Sequence, residues 1–293
     1  MKNLVLSVGV IFCLGIPDLC AATADIRSLE EIVKNDPRNF EAVSDLVKSY
    51  LSQESYEPAE KILLEYLAYD SANAEALYLY GRVMDLSDNI MEAMAYYLLA
   101  IEKDSTFWTA YRDMAMLYDI FADYQTMNRF ILNAFRFSPY PESIYYEVGY
   151  SYDMLEEPDS ASAYYQLAVK FDSTDSQALM NLGAIWGNNG RIDSASYYTG
   201  KSLENNPDSP GANFNYAELM AMRGDTAEAI SYFSKAVAIK PDLFAANKRL
   251  GELFEARGDS AMAKLYFEEF LKEVPIFYTD DINEIKNKLS LYK

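Results

Sequence analysis

Residues 176–209 read SQALMNLGAIWGNNGRIDSASYYTGKSLENNPDS, and this stretch sets a register that the rest of the chain keeps. Gly183 takes its eighth place, Trp186 its eleventh, Gly190 its fifteenth, Ala195 its twentieth and Pro207 its thirty-second. Working outward, helix-stopping Pro or Ser stands at Pro37, Ser71, Ser105, Pro139, Ser173, Pro207, Pro241 and Pro275, always 34 residues apart. These positions define seven full repeats: 40–73, 74–107, 108–141, 142–175, 176–209, 210–243 and 244–277. Self-similarity at this period marks an array of supersecondary units, each of which buries its apolar face only against its neighbours.

The other positions fall into line. Position 8 is small in six repeats (Gly81, Ala115, Gly149, Gly183, Ala217, Gly251), with Val47 the exception. Position 20 is Ala59, Ala93, Ala161, Ala195, Ala229 and Ala263, broken only by Met127. Position 11 is large throughout, from Tyr50 to Phe254. Small residues at 8 and 20 let two antiparallel helices approach closely, while large ones at 7, 11 and 24 fill the space beside them. Gly190, Gly224 and Gly258 supply a left-handed turn between the two helices. Val47 and Met127 predict looser packing in repeats 1 and 3.

The pattern resembles the tetratricopeptide repeat, and Ala178-Leu179-Met180-Asn181-Leu182-Gly183 with Trp186, Gly190, Ala195, Tyr198 and Pro207 carries its consensus nearly complete. The resemblance implies an all-α, right-handed α-solenoid of about seven helix–turn–helix units. Residues 25–39, with Leu29, Ile32 and Val33, read as an incomplete N-terminal repeat that has only its second helix. Residues 278–293 read as a C-terminal capping helix: Ile282, Ile285, Leu289 and Tyr292 form one stripe, with Lys286, Lys288 and Lys293 facing out. Thr279, Asp280 and Asp281 suit its start. Such a cap covers the exposed face of the last repeat.

Composition narrows the chemistry. Among 293 residues there is no histidine, and the only two cysteines are Cys13 and Cys20, near the start. Most zinc sites, thiol nucleophiles and His-based acid–base catalysis are therefore excluded from the repeats. No phosphate loop, dinucleotide fingerprint or nucleophile elbow is present, so an enzyme is not expected, and neither is a cofactor or metal. A net charge of −20 argues against nucleic acid as a partner. Residues 1–24 read as a signal peptide, with Lys2, the apolar run Leu4 to Ile16, and Ala22-Thr23-Ala24 as a cleavage site. That run is shorter than the about 20 apolar residues a membrane helix needs, and no later segment reaches that length. The expectation is an exported protein of the bacterial periplasm with no transmembrane segment in its mature chain. A lipid anchor through Cys20 is the weaker alternative, because Leu19 and Pro17 stand where lipidation sites carry Gly or Ala and Leu.

Two surfaces invite a functional reading. Tyr96, Tyr164, Tyr198, Tyr232 and Tyr266 all hold position 23, and are expected to pack between neighbouring repeats. Positions 2, 5, 9, 12 and 13 lie on the inner face of each first helix, which the resemblance implies lines a peptide-binding groove. They hold Tyr78, Arg82, Arg112, Met116, Tyr146, Tyr150, Met154, Met180, Phe214 and Met222, a run of methionine and aromatic side chains that offers adaptable contact area. Lys248 and Arg249 complete it in the last repeat, and Asn181 and Asn215 hold position 6, where an amide both donates and accepts. The chaperone-binding carboxylate clamp of related repeats is not expected, because Ser44 and Lys48 stand at its positions. Charge is uneven: repeat 4 has eight acids and one base, whereas repeats 5, 6 and 7 are each −1. The front half therefore suits a basic partner.

These readings converge on a non-enzymatic scaffold or adaptor of the cell envelope that holds a peptide segment or helix of another protein in its concave groove. The alternative is a structural subunit of an envelope assembly, docking through its acidic outer surface or its ends.

Overall fold

The computed structural model describes residues 26–292, so the signal-peptide and Cys20 readings lie outside the described residues. Sixteen α-helices account for most of these residues, and there is no strand among them. Helix α1 spans Ile26–Asn35. Helix pairs follow: α2 (Phe40–Ser52) and α3 (Tyr56–Tyr69), α4 (Ala74–Leu86) and α5 (Ile90–Lys103), α6 (Trp108–Ile120) and α7 (Tyr124–Phe137). Next come α8 (Tyr145–Met154) and α9 (Pro158–Phe171), α10 (Ser176–Asn188) and α11 (Ile192–Asn205). The last pairs are α12 (Pro210–Arg223) with α13 (Thr226–Ile239) and α14 (Phe244–Ala256) with α15 (Ser260–Glu273), before α16 (Thr279–Leu291). First helices open at Phe40, Ala74, Trp108, Ser176, Pro210 and Phe244, keeping the 34-residue step. Repeat 4 departs from it: a 3-10 turn over Pro141–Ile144 precedes α8. Proline at 139 and 141 removes two backbone donors there and delays the helix. The fold class is the all-α repeat solenoid.

The chain forms two compact bodies, 26–161 and 162–292, divided within α9. In the front body a core runs from Leu29 and Val33 of α1 to Met114 and Leu117 of α6. In the rear body a core joins Ala195 and Ala217 to Phe233, Ala236 and Leu250, and a smaller cluster of Phe267, Phe270 and Ile285 seats α16.

Close approach at position 8 is explicit. A Cβ on Gly81 would stand 2.6 Å from the Tyr97 ring, and one on Gly251 would stand 2.4 Å from Phe267. Tyr97 and Phe267 are fully buried at position 24, whereas the tyrosines of position 23 are only half-buried. Three of those tyrosines make ring contacts within their own repeat. Tyr96 lies 4.2 Å from Tyr80, Tyr232 lies 4.6 Å from Tyr216, and Tyr266 stacks 5.6 Å from Phe254. In repeat 1, with Val47 at position 8, α2 and α3 approach less closely than the paired helices of repeats 2, 3, 5, 6 and 7. Repeat 3 is not loose. Met127 and the small Ala115 are both fully buried, as an unbranched thioether can adapt to the space available.

Position 15 is left-handed in all seven repeats. Gly190, Gly224 and Gly258 hold it in the rear body, but Glu54, Asp88, Ala122 and Glu156 hold it in the front (φ 54° to 61°). The turn geometry follows from the hairpin, and glycine only makes it cheaper. At the C-terminal end Lys286 is exposed, as expected, but Lys288 is not: its Nζ donates to Glu255 at 2.8 Å and sits 5.4 Å from the Phe267 ring centroid.

Candidate functional site

In the rear body, α10, α12 and α14 present their inner faces to one groove of about 680 Å³. Seven of the residues assigned from sequence line it: Met180 and Asn181 on α10, Phe214, Asn215 and Met222 on α12, and Lys248 and Arg249 on α14. Ser209, the N-cap of α12, accepts from Ala212 N at 3.2 Å, which fixes where that helix starts and so where its inner face points. Met180 is half-buried and Met222 exposed, while Phe214, buried against Phe233, lines the groove wall. Asn181 is spent within the fold, its Nδ2 donating to the Tyr165 hydroxyl at 2.9 Å. Asn215 remains half-buried at the wall.

The two cations of the groove are paired across helices. Arg249 forks onto Glu218 of α12 at 2.6 and 3.1 Å and also meets Glu252. Lys248 reaches Asp281 at the start of α16, with Glu252 and Glu284 4.0 and 3.9 Å away. Burial of the guanidinium is outweighed by Glu218 and Glu252, so Arg249 stays charged at every ordinary pH. Tyr278 and Asp281 bring α16 to the rim. Sequence reasoning missed Glu218, Glu252, Tyr278 and Asp281. Glu218 and Asp281 pair with a cation on another helix about one repeat away, a signal that only a search at that offset would have found, whereas Glu252 pairs with Arg249 three residues away on the same helix.

The front-body candidates behave differently. Tyr78, Arg82 and Arg112 all converge on Asp113 of α6. Tyr78 Oη and Arg82 donate to Oδ2 at 2.9 and 3.0 Å, while Arg112 forks onto Oδ1 at 3.2 and 3.1 Å. Burial alone would raise the Asp113 carboxyl, but Arg112 and Arg82 hold it below the usual carboxylate range. The same burial lifts the Tyr78 hydroxyl well above the ordinary tyrosine value, so it is a fixed donor. Arg82 is itself buried, and these three residues are bracing rather than free contact groups. Tyr146 and Tyr150 stack at 6.4 Å, and Tyr150 Oη donates to Asp119 at 3.2 Å. Met116 and Met154 are half-buried on the same helices. Ser44 and Lys48, at the positions of the carboxylate clamp, both turn to Glu75.

Two family models, both described as the tetratricopeptide repeat, match residues 44–106 with 186–244 and residues 142–175, together more than half of the chain. The chain belongs to the tetratricopeptide repeat (TPR) family. The matched TPR segments pass over residues 107–141, the repeat in which Met127 replaces alanine. No curated protein matches the sequence. Among solved structures, a TPR protein from Parabacteroides merdae is similar at 16% identity and a TM-score of 0.61, covering 91% of this chain and 99% of that one. YrrB, a TPR protein with an unusual peptide-binding site, is similar at 24% identity and a TM-score of 0.54, covering 63% of this chain and 95% of its own. PilW, a type IV pilus biogenesis factor, is similar at 19% identity and 0.61, covering 72% and 97%. At these identities the likeness is one of fold. Among the described residues no helix is long and apolar enough to cross a membrane.

Proposed function

We propose that this TPR protein is a non-enzymatic scaffold of the cell envelope that holds a peptide segment or helix of a partner protein in the rear-body groove. The convergence of Met180, Phe214, Met222, Lys248 and Arg249 from three successive first helices on one groove carries this reading. Apolar methionine and phenylalanine supply contact area, and the Arg249–Glu218 and Lys248–Asp281 pairs hold the wall rigid, which lowers the entropy lost on binding. The peptide-binding site of YrrB and the pilus role of PilW lend support by analogy of fold. Residues 40–277 form the working array in this reading, and 278–293 close its end.

Selection of peptides from a displayed library on the full chain, followed by affinity measurement against Met180→Asp and Met222→Asp, tests it. Selected peptides should lose roughly tenfold or more in affinity to each variant, because a charge then faces an apolar anchor. Peptides that bind both variants as well as the parent protein would sink the groove assignment.

A further inference from the structure

One helix of the front body is apolar on two faces. In α5, Ala93, Tyr97 and Ala100 are buried in the core, but Met91, Ala95, Leu98 and Leu99 are exposed on the opposite side, Met91 by 73% and Leu98 by 48%. Their spacing puts these four in one stripe along the helix, and a helix that is apolar all round belongs under cover on every side. The stripe faces away from the first helices α4 and α6, on which α5 packs. It continues sideways at equal repeat positions: position 25 is Leu64 in α3, Leu98 in α5 and Leu132 in α7, of which Leu64 is exposed and Leu132 half-buried. In the rear body positions 25 and 26 hold Gly200 and Lys201, Ser234 and Lys235, and Glu268 and Glu269, so no such row forms there. Apolar side chains at equal positions of successive repeats make a patch rather than scattered single residues.

The two flanks of this patch differ in charge. Helix α3 carries Glu57, Glu60 and Glu65 against the single base Lys61, whereas α7 carries Arg129 and Arg136 and no acid. Glu57, Glu65, Arg129 and Arg136 are exposed, and none of the four is in an ion pair among the described residues. Asp123, the N-cap of α7, is near enough to Arg129 to be favoured as a carboxylate, but the two do not pair. Between the flanks, Glu102 at the end of α5 is held by Lys103 at 2.9 Å.

We infer that the outer face of α3, α5 and α7 is a dimer interface, and that its occupant is a second copy of this chain related by a twofold axis along α5. Such an axis lays α5 on α5 of the other copy and sets α3 of each copy opposite α7 of the other, so the acidic flank meets the arginine flank twice. Any other partner would need both signs in reversed order around an apolar centre, which a second copy supplies by symmetry. The net charge of −20 does not forbid the contact, because salt at about 0.15 M screens charges more than roughly 8 Å apart and leaves the local signs to decide. The apolar patch supplies the buried centre, and the charged flanks fix its orientation. None of these residues lines the rear-body groove.

Sedimentation velocity of the full chain at rising concentration tests this. The parent protein should dimerise, and Leu98→Ser/Leu99→Ser should raise the dissociation constant by on the order of tenfold or more. Leu265→Ser, which removes an exposed leucine of α15 outside the patch, should leave it unchanged. The deciding pair is Glu57→Arg/Glu65→Arg and Arg129→Glu/Arg136→Glu. Each variant alone sets like charges opposite each other on both flanks and should stay monomeric, while an equimolar mixture restores both attractions and should form a heterodimer. Every changed side chain is exposed, and a circular dichroism melt matching the parent's shows that each variant folds. A parent protein still monomeric at about 100 µM overturns the inference. So does a dimer that Leu98→Ser/Leu99→Ser leaves unchanged, equal weakening by Leu265→Ser, or a mixture of the charge variants that fails to associate. Binding of the monomer to phosphatidylglycerol vesicles through Leu98 and Leu99, in place of self-association, would assign the face to lipid and overturn it as well.

Discussion

Replacing Asp113 by alanine is the sharpest perturbation of the front body. The side chain is 3% exposed and accepts from Tyr78, Arg82 and Arg112, while the side chain of Arg82 is only 9% exposed. Removing the carboxylate leaves a buried guanidinium without its counter-ion, a loss of about 3–5 kcal/mol. With an m-value of about 3 kcal/mol/M, the urea midpoint should fall by roughly 1–1.7 M. The chain has two tryptophans, Trp108 and Trp186, so a Trp186→Phe background leaves Trp108 to report on the front body alone. Arg112 lies 5.6 Å from that ring centroid, which makes the signal local to the network. The pH dependence has a definite sign. The folded carboxyl lies below its usual range because Arg112 and Arg82 outweigh burial. Its contribution is therefore present above the unfolded value of about 4 and is lost as pH falls through the lower folded value. The parent protein and Asp113→Ala should differ most above about pH 5 and converge in strong acid. The triple change Arg82→Met/Arg112→Met/Asp113→Leu should recover most of the loss, since apolar side chains of similar size then replace the whole buried charge cluster at little net cost. A midpoint shift under about 0.3 M, or one that persists unchanged into acid, would refute the assignment of this network as a buried brace.

Three further outcomes follow from the packing and the turns. Gly251→Ala should destabilise the rear body by about 1–3 kcal/mol in thermal melts, because the new Cβ meets the fully buried Phe267 ring 2.4 Å away. Ala122→Gly should stabilise the front body by about 0.5–1 kcal/mol, read as a higher melting midpoint, since relief of the left-handed strain at φ 54° exceeds the added freedom of the unfolded chain. Glu255→Gln should speed amide exchange across α16 while sparing α10 and α12, because Glu255 accepts from both Lys288 at 2.8 Å and Tyr292 at 2.7 Å.

The array was legible from its period. A hairpin that packs only on its neighbours imposes the same small, large and turn positions every 34 residues, so Pro207, Ala195 and Gly183 already located α10, α11 and the approach between them. In the rear body seven of the residues chosen from sequence share one groove. In the front body Tyr78, Arg82 and Arg112 are instead engaged by Asp113. Nothing in a single repeat distinguishes Arg82, which is buried, from Arg249, which is at the groove wall, because both occupy first-helix inner faces.

By itself, then, the sequence determined the repeat unit, its length, its helix pairing and the left-handed turn at Gly190, Gly224 and Gly258, because these depend on contacts made within one repeat or between equal positions of adjacent ones. The tertiary structure decided which charges are spent and which surfaces stay open. Arg82 finds Asp113 at 31 residues' distance, Lys248 finds Asp281 at 33 and Arg249 finds Glu218 at 31. Those partners stand on neighbouring helices, and whether a side chain reaches across to them depends on the distance and angle between packed helices, which no pattern along one chain encodes.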